Sequence, residues 1–259
     1  MSRDRSGLPV ALVIQALCFA VVTGAAAGSV SDRQEPSGPP GYEGSRWWGE
    51  VEEVAALLVE ARWKRGLARS EELADRVVRR SWHEPDLARV LAALSVQRAV
   101  AESALGRDDD ARWHVGVALN LEPAATERLE RYGEAAEPLR GVSLRREGHL
   151  PDGTVPPVRF TTPGYEPVEV VRPPSTGDFA NVQAPHERFP SVTVEVVVGE
   201  DGRVRHPVVL SSWVNPVVIY WTLERIRTAD YEIRPARIDG EPIAALERIE
   251  MEFEQTSRW

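Results

Sequence analysis

The sequence predicts an α+β chain: an N-terminal α-helical bundle, then a small ββαβ unit with an antiparallel sheet packed on one helix. Three observations predict it. From Arg46 to about residue 135, apolar residues recur at helical spacing. Val192, Val194, Val196 and Val198 then alternate with Thr193, Glu195 and Val197, the pattern of a strand with one apolar face. A helix-period segment after Asn215 leads into a final alternating strand that ends at Phe253.

The chain has 259 residues and a formal net charge of -9. That charge argues against nucleic acid as a partner, because binders of the phosphate backbone present a basic face. Lys64 is the only lysine and Cys18 the only cysteine. An intramolecular disulfide or a cysteine-rich metal site is thereby excluded.

Residues 1–27 read as a signal peptide or an N-terminal membrane anchor. Arg3 and Arg5 precede an apolar run from Leu8 to Val22, and Ala25-x-Ala27 fits a cleavage site. Leu8 to Ala27 is also just long enough to span a hydrocarbon core. A third reading makes Cys18 a lipid-attachment site, although Gln15 and Leu17 stand where small or aliphatic residues are expected. All three readings place the remainder outside the cytoplasm. The expected location is the periplasm, with anchoring in the inner membrane as the alternative; membrane contact is expected only through residues 8–27, if they are retained.

Residues 28–45, rich in Ser, Gly, Pro and charge, read as a flexible linker. Residues 46–135 follow as the helical domain. In "WWGEVEEVAALLVEARW", Val51, Val54, Leu58 and Ala61 share a helical face. Ser70 stands as the N-cap of "SEELADRVVRRSW". A helix is expected from about Pro85 to Leu105, stopped by Gly106, and another from about Asp108 to Pro123. Asp108, Asp109 and Asp110 then lie at a helix N-terminus, where the dipole favours negative charge. "ALGRDDDARWHVGVALNLEP" (Ala104 to Pro123) resembles the end of a tetratricopeptide repeat, which implies paired helices in close contact. A plain helical bundle remains the alternative.

Residues 136–188 form a proline-rich connector with short β-prone pieces, "VRFTT" and "VEVV", which serve as a spacer or as added strands. Residues 189–259 form the last unit. "GEDG" (Gly199 to Gly202) turns the hairpin, and Gly202 suits a positive φ. Pro207 places the return strand at a sheet edge. Asn215 before Pro216 is an N-cap with proline at the first helical position. Ile219, Leu223 and Ile226 make the apolar stripe of that helix, with Glu224, Arg225 and Arg227 towards water. Asp239-Gly240 forms a tight turn before the closing strand.

The valine strand, "DGRV" (Asp201 to Val204), "PVVLSS" (Pro207 to Ser212), the helix, "RPA" (Arg234 to Ala236) and "DGEP" (Asp239 to Pro242) follow one another between Val192 and Phe253. In that order they resemble the C-terminal domain of the TonB family, the energy transducers of the bacterial envelope. The long proline- and lysine-rich spacer of well-known members is absent, and helices occupy that region. The resemblance implies binding of an outer-membrane or periplasmic protein by β-strand addition, with energy-coupled transmembrane transport as the family's role. The expected docking edge is Ala245, Leu246, Glu247, Arg248, Ile249, Glu250, Met251, Glu252 and Phe253, with mostly acidic outward residues. The alternative is a periplasmic helical scaffold whose sheet serves for homodimerisation.

No catalytic role, cofactor or metal site is expected. His83, His114, His149, His186 and His206 form no H-x-x-x-H pair, and no G-x-S-x-G, Walker or dinucleotide-binding glycine pattern occurs. Trp47, Trp48, Trp63, Trp82, Trp113, Trp213 and Trp221 read as core rather than as a sugar-binding platform.

Overall fold

A computed structural model describes residues 46–80, 84, 86–157, 161–171, 191–211, 214–228 and 232–251. The expected leader, Cys18, the linker, most of "VRFTT", His83, His186, Trp82, Trp213, Glu252 and Phe253 lie outside these residues. The chain is mixed α+β, with helices mostly in its N-terminal part and antiparallel sheets in its C-terminal part. No helix among the described residues is long and apolar enough to cross a membrane.

Helix α1 (Trp48–Val59) buries Val51, Val54, Ala55 and Leu58 on one face. The expected stripe stops short of Ala61, which lies outside the helix with φ 56°. There the Ala61 N–H reaches the Leu58 carbonyl and the Arg62 N–H the Leu57 carbonyl, so orphan carbonyls are met by a left-handed C-terminal cap.

Helix α2 (Trp63–Arg80) corrects the N-cap expectation for Ser70. Ser70 is buried mid-helix, and its hydroxyl donates to the Leu67 carbonyl at 2.7 Å. The helix begins a full two turns earlier because packing, not capping, sets its start. Gly66 lets α2 approach α1 so closely that a Cβ there would lie 2.3 Å from Leu58 Cδ2.

Helices α3 (Leu87–Ala104) and α4 (Asp108–Leu121) match the expected pair, with Gly106 at φ 74° between them. Buried residues surround α3 on all sides, from Val90 to Glu102. One apolar cluster on α3 meets α1, α2, α4 and the 3-10 stretch Ala125–Leu139 through residues such as Leu58, Val96, Val115 and Leu129.

The second cluster is continuous from the helices into the sheet. It joins Val51, Leu73, Leu91 and Trp113 to Val192, Val194, Leu223 and Ile249. Trp47, Trp48 and Trp113 are core residues, and Trp221 packs against the core.

Strands β1 (Tyr165–Glu166) and β2 (Glu169–Val170) lie in the proline-rich connector. They pair antiparallel with β6 (Ala236–Ile238) and β5 (Ile233–Arg234), so this part of the connector adds strands to the C-terminal unit. β7 (Glu241–Ile243) pairs with β6 across the Asp239-Gly240 turn. Both turn residues take positive φ, 53° and 88°, as such a two-residue hairpin requires.

The main sheet contains β3 (Val192–Val198), β4 (Val204–Val209) and β8 (Ala245–Met251) in the order β4-β3-β8. Both pairings are antiparallel. Helix α5 (Pro216–Thr228) connects β4 towards β8 and starts as expected, with the Val217 N–H bonded to Asn215 Oδ1 at 2.9 Å. Pro207 does sit in an edge strand. His206 beside it has φ 51°, next to a bulge in the β3–β4 register between Glu195 and Val197.

Two charge assignments are corrected. Glu224 and Arg227 do not face water: α5 is covered on one side by the sheet and on another by α3 and α4, where both residues find partners. Glu195 on β3 is 2% exposed, because the chain at Arg145–Gly148 lies over it.

Candidate functional site

The candidate edge is β8, which completes one border of the main sheet. Ala245, Ile249 and Met251 are buried, Leu246 and Glu247 half-buried, Arg248 and Glu250 exposed. Register pairs Val192 with Met251, Val194 with Ile249, Val196 with Glu247 and Val198 with Ala245. Directly opposed residues point to the same face of a sheet. Glu247 therefore shares the apolar, helix-facing side with the buried valines, while Leu246, Arg248 and Glu250 share the side of Glu195.

The main-chain directions follow from Thr193. Its carbonyl accepts from the Leu210 N–H at 2.9 Å, and its own N–H donates to Ser211 Oγ at 2.8 Å, both towards β4. Main-chain groups alternate sides along an antiparallel strand. Those of Val192, Val194, Val196 and Val198 hence face β8 and engage residues 251, 249, 247 and 245. Leu246, Arg248 and Glu250 turn their N–H and C=O groups outward. Beyond β3, no main-chain partner for β8 occurs among the described residues.

The opposite border is closed. Asn120 of α4 lies along β4 and bonds it as a peptide group would: Nδ2 donates to the Pro207 carbonyl at 2.9 Å, and Oδ1 accepts from the Val209 N–H at 2.8 Å. Arg145 fills the bulge, with Nε on the His206 carbonyl at 3.0 Å and Nη2 on the Glu195 carbonyl at 2.8 Å.

The charges on β8 are less free than the sequence implies. Arg248 bonds Glu147 at 2.9 Å and Glu195 at 3.2 Å, and Glu250 accepts from the Ser191 hydroxyl at 2.6 Å. Glu195 also takes Arg145 at 2.6 Å and the Gly148 N–H at 2.8 Å. Burial pushes the Glu195 carboxyl up, but Arg145, the Gly148 N–H and Arg248 outweigh it and hold it below the usual value. Burial raises the Glu247 carboxyl, against a smaller opposing contribution from the Arg248 main-chain N–H.

A second cluster joins the helical part to α5, and sequence reasoning missed it. His114 Nδ1 lies 2.5 Å from Glu102 Oε2 and Nε2 lies 3.1 Å from Glu224 Oε1. Arg98 Nη1 donates to Glu224 at 2.7 Å and to the Tyr220 hydroxyl at 2.9 Å. His114 is 3% and Glu102 4% exposed, so a substrate has no access to the imidazole. The available signal was Arg98 and Glu102 inside a mostly apolar helix. Around this cluster Asp109 pairs with Arg205 at 2.9 Å, and Asp110 with Arg227. The aspartate run thus meets the sheet unit's arginines besides its helix dipole.

Comparison of the chain with family models, curated proteins and solved structures gives no match.

Proposed function

We propose that the chain is a TonB-like cell-envelope protein that binds an outer-membrane or periplasmic protein by β-strand addition along β8. The observation that carries this reading is the asymmetry of the main sheet. Its β4 border is bonded by Asn120 and Arg145, whereas the outward main-chain groups of Leu246, Arg248 and Glu250 meet no strand among the described residues. Unpaired strand edges are templates for a further strand. The strand order β4-β3-β8, with α5 inserted before β8, supports a TonB-like reading of this unit, and the α3–α4 pair supports a tetratricopeptide-like reading of the helices. We assign the chain no catalytic activity.

A second reading has its own support. Because one apolar cluster runs through helices and sheet, the strand-binding edge sits on a shared body. This favours a periplasmic adaptor over a pulled arm, so energy-coupled transport is proposed only for a chain that retains residues 8–27.

The test uses the full chain as bait on solubilised envelope of the producing bacterium, with Glu250→Pro beside it. The Glu250 N–H points away from β3, so proline removes a donor offered to a partner while sparing the ladder. Recovery of an outer-membrane or periplasmic protein that the variant loses supports the reading. Equal recovery by both chains, with the variant's circular dichroism unchanged, refutes it.

A further inference from the structure

The charged side chains of β8 differ in how they are satisfied. Arg248 is held by Glu147 and Glu195, and Glu250 by the Ser191 hydroxyl. Glu247 has no cation within ion-pair distance among the described residues, and its carboxylate is met by the Arg248 main-chain N–H. It stands between buried Ala245 and Ile249 on the helix-facing side, opposite Val196, and Tyr165 is the described side chain that shares its electrostatic surroundings. A half-buried carboxylate without a cation is costly to keep in an apolar setting. An aliphatic residue would suit that row better, since its neighbours are Ala245, Ile249 and Met251.

A strand added along β8 would set its own side chains directly opposite this row, with Cβ atoms about 4.5–5.5 Å apart. From this placement, and resting on the reading of β8 as a strand-accepting edge, we infer that the partner segment carries an arginine or lysine opposite Glu247. Glu247 is then the residue that selects among extended peptides, while the main chain of Leu246, Arg248 and Glu250 holds any of them. The selected class is an extended segment with apolar residues on one face, interrupted there by one basic residue. Acidic segments are rejected by the same carboxylate.

The experiment is fluorescence anisotropy of the full chain with labelled seven-residue valine–threonine peptides whose central residue is Arg, Gln or Glu. A fourth peptide, Arg-centred, is N-methylated at alternate residues so that it cannot pair through its main chain. The expected order is Arg above Gln above Glu, with about a tenfold span between the extremes at low salt, shrinking at high ionic strength. Glu247→Gln, which keeps the shape and removes the charge, should collapse that span and leave the Gln peptide unchanged. The N-methylated peptide should not bind. Equal binding of all three parent peptides, with the N-methylated one excluded, overturns the selection by Glu247 and leaves strand addition standing. Binding of the N-methylated peptide, or no binding by any peptide, overturns strand addition and this inference with it. A self-associated chain whose edge is already taken by a second copy gives the last outcome, and sedimentation of the chain alone identifies it.

Discussion

Replacing His114 tests how the helices and the sheet are joined. Both of its ring nitrogens face carboxylates, at 2.5 Å and 3.1 Å. Ionised carboxylates only accept, so against two of them both nitrogens must donate and the ring is an imidazolium. Glu102 and Glu224 supply two negative charges; Arg98 and His114 supply two positive ones. Tyr220 from α5 and Glu71 from α2, 3.8 Å from Arg98, complete the groups facing them. Burial and the Arg98 charge push the imidazole down, but Glu224 and Glu102 outweigh them and raise it above its ordinary value. Burial acts upward on Glu224, yet His114 and Arg98 hold it at about 2.

In His114→Gln the amide can donate to one carboxylate while its oxygen meets the other. A buried carboxylate is left uncompensated, a loss of about 3–5 kcal/mol. That is a large part of a typical total of about 5–15 kcal/mol. With a urea slope of about 2–3 kcal/mol per M, the unfolding midpoint should fall by roughly 1–2.5 M. The native chain should carry its own signature. A group raised on folding stabilises fully below its unfolded value, here the ordinary 6.5, and that contribution is lost as pH rises through the folded value. The native midpoint should thus fall as pH increases above 6.5, and the variant should lose that slope. Adding Glu102→Gln should recover part of the loss, because the orphaned charge is gone. A native midpoint flat in this direction up to pH 9, or a variant loss below about 1 kcal/mol, refutes the charge-balanced account.

Three further outcomes follow from the packing. Asn120→Ala strands the Pro207 carbonyl and the Val209 N–H; it should cost about 1–3 kcal/mol in urea titration and create self-association in sedimentation through an opened β4 edge. Arg145→Ala leaves Glu195 buried with weaker compensation and should cost about 3–5 kcal/mol. Since the Glu195 carboxyl is lowered on folding, its native contribution is present above its unfolded value and lost as pH falls through the depressed one, so the variant should also lose part of its acid sensitivity. Gly66→Ala drives a methyl into Leu58 and should cost about 1–3 kcal/mol by thermal unfolding.

Local chemistry made several elements readable. Gly106, the Asp108 run, Asn215-Pro216 and Asp239-Gly240 are short-range signals, and each marks a real boundary. Ser70 shows the limit of such signals. It precedes an amphipathic run like any N-cap, but the contact of Gly66 with Leu58 lets the helix start at Trp63. Alternation does not show the cover over Glu195, and helical period puts Glu224 and Arg227 towards water, because each sees one element at a time. Their partners lie 50, 126 and 117 residues away in sequence. The edge residues 245–251 could be read because strand alternation and the closing position are local properties. Which of their charges were already satisfied could not, since Glu147 and Glu195 come from elsewhere.

The closed β4 border bears on how a bound strand would be held. Asn120 reaches Pro207 across 87 residues of sequence and Arg145 reaches His206 across 61, so the sealing groups come from the helical part and the segment after it. A chain that only had to avoid edge-to-edge aggregation would gain from sealing both borders, and among the described residues the seal lies on β4. Sealing β4 instead fixes the sheet's stack, because β3 and β4 can no longer shift register without breaking bonds to α4. Force applied along a strand added at β8 would pass into β3 through seven register pairs and then into β4, α4 and α5. Pulling along strands loads those pairs together rather than one by one. The helical body is thereby the anchor of the sheet rather than a neighbour of it. Asn120→Ala should accordingly weaken the hold on a β8-bound peptide under load more than at equilibrium. Equal loss in single-molecule pulling and in anisotropy would show that the β4 seal serves solubility alone.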